Sequence, residues 1–330
     1  MDRRKFIGSL SLGTIAVLRA TRAPAARNVY RIGLLSIGSS AADMAGPQPR
    51  ATSINAFLSG LREIGYVYGE HFVTETRGRE VPFERFSAVA AELVRLQMDV
   101  IVSAGPWLGA LKQATSTIPI VMAGGEDPVG QRIVQSLGHP DGNFTGLSNQ
   151  SVELTAKRLE LLKELVPGVA PVAVLWDRTS LSNLRAAEAA ARNRGWRLLS
   201  FEVRDGGEVE KAVKAAIGAR VAGLLAVGGL TFRHAGLIAG LAVTGRLPVV
   251  FGNRQSVVEA GGLISYGADL TEIWRRAAVF VDKILKGAKP AELPIEQPSK
   301  FELVINLAAA KVIGLTVPPS MLLRANEVIQ

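Results

Sequence analysis

The chain has 330 residues, of which 48% are hydrophobic and 20% charged, with a formal net charge of +9. Those proportions suit a globular protein with enough apolar mass for two cores. Cysteine is absent, which excludes disulfides, thiolate catalysis, Cys-type zinc and lipid attachment to a cysteine. The three histidines (His71, His139, His234) are scattered and no H-E-x-x-H occurs, which argues against a His-built metal or hydrolase site.

The N-terminus reads MDRRKFIGSLSLGTIAVLRATRAPAA. Basic residues Arg3, Arg4 and Lys5 lead into the apolar or small run Phe6–Leu18, and Ala23-Pro24-Ala25 fits the small-x-small cleavage rule. Residues 1–25 are therefore expected to be an export signal cleaved near Ala25, leaving a periplasmic chain with no lipid-anchoring cysteine. The run is short for spanning a hydrocarbon core of about 30 Å. Arg3-Arg4 followed by Phe6 is similar to a twin-arginine signal, and ordinary Sec export stays open. Removing the leader leaves 33 of the 38 basic and 28 of the 29 acidic residues, a net +5 with no Lys/Arg block. Such a mild, spread charge gives no support for nucleic-acid binding.

Short apolar runs then alternate with helical patterns. YRIGLLS (30–36) predicts a strand. Ile54, Phe57, Leu58 and Leu61 recur at helical spacing, as do Phe86, Val89, Ala90 and Leu93. FVTET (72–76), DVIVSAG (99–105) and IPIVMAGG (118–125) predict further strands, so the rhythm is that of a parallel α/β sheet covered on both faces. It repeats in PVAVLWD (171–177), WRLLSFEV (196–203), VAGLLAVGG (221–229) and RLPVVFGN (246–253). TIPIVMAGGEDPV and RLPVVFGNRQSV are alike in kind, as are NFTGLS and GGLISYG with the helices that follow them. The chain reads as two copies of one α/β half with a cleft between them.

Ligands of open parallel sheets bind beyond the carboxyl ends of the strands, so the polar loops there hold the candidate residues. RIGLLSIGSS has glycines spaced as in a phosphate-binding P-loop but no lysine, which argues against a nucleotide and leaves Ser36 and Ser39 facing the cleft. Gly105 opens a helix whose Trp107 could stack on a flat ligand. Glu126 and Asp127 follow a strand, where an acid could receive an ammonium or cap the next helix. Ser148, Asn149 and Tyr266 stand where the halves meet, and Asp177, Ser182, Thr231 and Asn253 line the second half's loops. No G-x-S-x-G, no G-x-G-x-x-G after a strand and no dense acid–base cluster is present, so no catalytic residue, metal ligand or cofactor is expected.

FLSGLREIGYVYGEHF, KQATSTIPIV, EDPVG, DGNFTGLS, KRLELLKELVP, GGLISYG and RRAAVFVDKILKGAKPAELPIEQPSKFELVINLAAAKVIGLTVP together resemble the ABC transporter substrate-binding proteins of the tryptophan/tyrosine type, from about Arg31 to Ile329. The resemblance implies a type I periplasmic binding protein fold: two Rossmann-like lobes joined by three crossovers. It implies capture of a small carboxylate-bearing solute, an amino acid or an aromatic one among the choices, by hinge closure and delivery to an ABC permease in the inner membrane, by a monomer that is not an enzyme. Lobe one is expected at 29–148 plus 263–292 and lobe two at 149–262 plus 293–330. Ser36, Gly105 and Ser148 would then donate to the carboxylate, Asp127 would receive an ammonium, Trp107 and Tyr266 would pack on the apolar part, and Thr231 and Asn253 would close from lobe two. A sensor subunit presenting its ligand to a membrane receptor, or an enzyme on the same scaffold, are the other readings.

Overall fold

The computed structural model describes residues 29–168 and 170–330; the expected leader, residues 1–25, lies outside the described residues. Five strands, β1 (Tyr30–Leu35), β2 (Phe72–Arg77), β3 (Val100–Ser103), β4 (Ile120–Gly125) and β5 (Phe144–Ser148), form a parallel sheet in the order β2-β1-β3-β4-β5. Seven more, β6 (Val172–Trp176), β7 (Leu198–Glu202), β8 (Gly223–Ala226), β9 (Val249–Phe251), β10 (Ile264–Ala268), β11 (Phe301–Asn306) and β12 (Glu327–Ile329), form the second in the order β12-β11-β10-β9-β8-β6-β7. Among the described residues, only the β10/β11 strand pairing is antiparallel. The central strands β3, β4 and β8 are buried along their whole length because helices cover both faces, which is why they read as continuous apolar runs rather than alternating ones.

Each lobe has a core on either side of its sheet. In the first, the amphipathic helix Thr52–Glu63 buries Ile54, Phe57, Leu58 and Leu61. It lies against helix Leu270–Leu285, which buries Ile273, Trp274, Ala277 and Val281. Their close approach requires Gly60, where a Cβ would stand 2.6 Å from the Arg275 carbonyl oxygen. Asp269 caps the longer helix by accepting from the Thr271 and Glu272 amides at 2.8 and 3.1 Å.

The chain passes between lobes three times. β5 belongs to the first sheet, while the next helix, Ser151–Leu165, packs in the second lobe's core. After β10 the chain returns to the first lobe through helix Leu270–Leu285. Ile295 packs in the first lobe, and Glu296 accepts from the Ser148 amide at 3.0 Å before the chain re-enters the second sheet as β11. The second passage thus begins at Asp269. Of the residues expected in lobe one, 264–268 hydrogen-bond as β10 between β9 and β11.

Candidate functional site

Between the lobes lies a cleft of about 780 Å³. Its walls are the loops at the carboxyl ends of both sheets: Ser36–Ser39 after β1, Ala104–Pro106 after β3, Gly124 and Glu126 at the end of β4, Val227–Phe232 after β8, and Gly252 and Asn253 after β9. Strand ends from two sheets thus converge on one space, the placement that open α/β sheets give a ligand.

Six of the predicted site residues line this cleft: Ser36, Ser39, Gly105, Asn149, Thr231 and Asn253. Several are already engaged in local order. Ser36 Oγ accepts from the Gly38 amide at 3.2 Å, Asn149 Oδ1 from the Ser151 amide at 3.1 Å, and Asn253 Oδ1 from the Ser256 amide and hydroxyl at 3.1 and 3.0 Å. Thr231 Oγ1 donates to the Gly228 carbonyl at 2.9 Å. These bonds fix the loops and leave remaining lone pairs, hydrogens and backbone amides to meet a solute.

The other six are placed elsewhere. Trp107 is fully buried, its indole stacked on Phe86 with ring centroids 3.5 Å apart and planes at 7°. It belongs to the apolar face of helix Trp107–Ala114, with Leu108 and Leu111, so it fills the core beneath the loop. Asp127 turns back to accept from the Gly130 amide at 2.9 Å and closes its own loop. Ser148 is buried and accepts from the Gln150 amide at 3.1 Å. Asp177 is 2% exposed; Oδ1 accepts from the Thr179 amide and Oδ2 from the Leu230 amide, both at 2.8 Å, which pins the start of helix Gly229–Arg233 to the end of β6. Ser182 sits in the first turn of helix Leu181–Asn193, away from the cleft wall. Tyr266 follows β10 into the second lobe and packs against Phe301, with centroids 6.3 Å apart.

Two further charged side chains, Arg158 and Glu126, line the cleft. Arg158, only 2% exposed, reaches in from helix Ser151–Leu165. Its Nε donates to the Tyr266 carbonyl at 2.7 Å, Nη1 to the Ser151 carbonyl and hydroxyl at 2.9 and 3.0 Å, and Nη2 to the Gly252 carbonyl at 3.4 Å. Burial lowers its pKa to about 10. Glu126 enters from the end of β4; its Oε2 is buried with no hydrogen-bond partner among the described residues. Burial, reinforced by the Asp177 charge and only partly countered by Arg158, pushes its carboxyl up to about 7. Arg158 had a readable signal: it sits in the apolar stripe Leu154, Arg158, Leu161, Leu165, where a lone arginine needs buried acceptors.

The two lobes also touch beside the cleft. Gln131 Nε2 donates to the Thr179 carbonyl at 2.8 Å, Arg233 lies over the Phe83 ring at 4.1 Å, and Gly229 abuts Pro106 so closely that a Cβ there would stand 2.4 Å from Pro106 Cγ. Among the described residues, no helix is long and apolar enough to cross a membrane.

Solved structures share this architecture. A conserved domain protein from Vibrio cholerae superimposes with a TM-score of 0.81 at 28% identity, over 91% of this chain and 99% of that one. An ABC domain in complex with L-Trp from Streptococcus pneumonia gives 0.80 at 26% identity, over 91% and 100%. The tyrosine-binding protein of Clostridioides difficile (strain R20291) is 22% identical over 264 residues, 78% of this chain and 75% of that protein. The fold is thus the two-lobed periplasmic-binding-protein architecture that the sequence implies. The sequence model of the ABC transporter substrate binding proteins matches residues 48–329, and the chain belongs to that family.

Proposed function

We propose that this chain is the extracytoplasmic solute-binding subunit of an ABC importer, which captures a small carboxylate-bearing solute by hinge closure and hands it to a permease. The observation that carries the reading is the cleft itself, walled by strand-end loops from both lobes. Contacts made from two lobes at once favour the closed state only through their surplus over the open one. Ser36, Ser39 and Gly105 receive the carboxylate from lobe one, Thr231 and Asn253 close on it from lobe two, and Asn149 lies at the crossing. Phe232 offers the solute apolar surface. The L-Trp held by one relative and the name of another make amino acids, aromatic ones included, the first class to try.

A thermal-shift panel of amino acids, aromatic acids, short peptides and nucleotides tests this. A solute at about 100 times its Kd adds roughly 2.7 kcal/mol to the native state, so a true ligand raises the melting temperature visibly. A shift confined to carboxylate-bearing compounds supports the reading. A shift confined to nucleotides, or turnover of any compound, contradicts it. Residues 1–25 are proposed to direct export; fused to a reporter, they should carry it to the periplasm. Changing Arg3 and Arg4 to Lys stops that export on the twin-arginine route and leaves it unchanged on the Sec route.

A further inference from the structure

Glu126 is an acid with one oxygen left without a donor among the described residues. It stands in the cleft wall on the lobe-one side, and its Oε2 is buried with no partner among the described residues. The cation that acts on it, Arg158 of the opposite lobe, directs its hydrogen bonds to Ser151, Tyr266 and Gly252 instead. The other charges that act on it are both acids, Asp177 after β6 and Asp127 in its own loop. An ionised Glu126 therefore leaves this corner of the cleft with more negative than positive charge, buried and lacking donors, a costly arrangement.

We propose that Glu126 receives a cationic nitrogen of the solute, so that the cleft selects amine-bearing carboxylates over plain carboxylates. This deepens the solute-capture reading above and rests on it. An ammonium group supplies both the missing donors and the missing positive charge. In the empty cleft the carboxyl holds a proton through much of the neutral range because its burial favours the neutral form. When the solute enters, that proton leaves to the buffer and the ion pair takes its place; no covalent bond other than O–H changes. The remaining charged residues of the cleft wall are Asp43, Arg50, Arg79, Arg233, His234 and Glu259. Burial and Arg233 hold His234 below its ordinary value.

Calorimetric titration with L-tyrosine, L-tryptophan and L-leucine, and with their three deamino acids, tests the proposal. The amines should bind at least tenfold tighter than their deamino counterparts. Their Kd should fall about tenfold from pH 6 to pH 8, because a site ionising near 7 is mostly protonated at the first and mostly ionised at the second. At pH 7 the heats in phosphate and Tris should differ by the release of roughly half a proton per solute. Glu126→Gln should weaken amine binding and flatten the pH profile, while its melting temperature stays at or above the parent's. Equal binding of amines and deamino acids, or a pH profile kept in Glu126→Gln, overturns the proposal and leaves solute capture standing. Silence from all six compounds overturns the amino-acid reading and this proposal together.

Discussion

Arg158 Nε donates to the Tyr266 carbonyl at 2.7 Å, joining the helix after the first passage between lobes to the strand before the second. The same guanidinium holds Ser151 and Gly252, so one buried side chain ties three segments beside the hinge. Arg158→Met removes the donors and strands buried carbonyl oxygens. The expected loss is about 3 kcal/mol of stability, read as a lower urea midpoint. An unchanged midpoint would mean that the three carbonyls find other donors at no cost.

Gly229 meets Pro106 across the lobes, where an added Cβ would stand 2.4 Å from the ring. Gly229→Ala therefore props this contact open. Overpacking of that kind costs about 1–3 kcal/mol, and on the proposed hinge-closure reading it falls on the closed arrangement. Solute affinity is expected to drop roughly tenfold while the melting temperature of the empty protein stays near the parent's. A parent-like affinity would place this contact outside closure.

Trp107 stacks on Phe86 inside the first lobe, away from the cleft. Trp107→Ala is expected to cost about 3–5 kcal/mol as a cavity mutation. Trp107→Phe keeps enough of the core to fold, and its solute affinity should match the parent within about twofold. A selective loss of affinity for aromatic solutes in Trp107→Phe would instead make the indole a ligand contact.

Glu126 also predicts how the empty protein responds to pH. The carboxyl ionises near 4.5 in the unfolded chain and near 7 in the folded one. Between those values the folded state binds more protons, so this group's contribution is present below pH 4.5 and is lost as pH rises through 7. The difference in unfolding free energy between parent and Glu126→Gln should therefore shift against the parent by at most about 3 kcal/mol from pH 4.5 to 8. A constant difference across that range would show that the carboxyl titrates as an exposed one.

The sequence carried the architecture because it is written in periodicity. The buried runs of β3 and β4 and the heptad-like spacing on helix Thr52–Glu63 are local signals. The loops that wall the cleft followed from the strands, which is why Ser36, Ser39, Gly105, Asn149, Thr231 and Asn253 lie there. Which side chain in a loop faces the cleft is set by loop conformation instead. Asp127 and Glu126 are adjacent and chemically alike, yet one turns back to the Gly130 amide while the other enters the cleft. Tyr266 goes with its strand into the second lobe: β10 pairs with β9 and β11 through non-local hydrogen bonds that no short window reveals.

The central claim is closure of two lobes on one solute, and small-angle X-ray scattering with and without a saturating solute from the panel tests it most directly. The account predicts a smaller radius of gyration when the solute is bound, with Gly229→Ala compacting less than the parent. Identical scattering curves for the empty protein and the fully occupied one would contradict it.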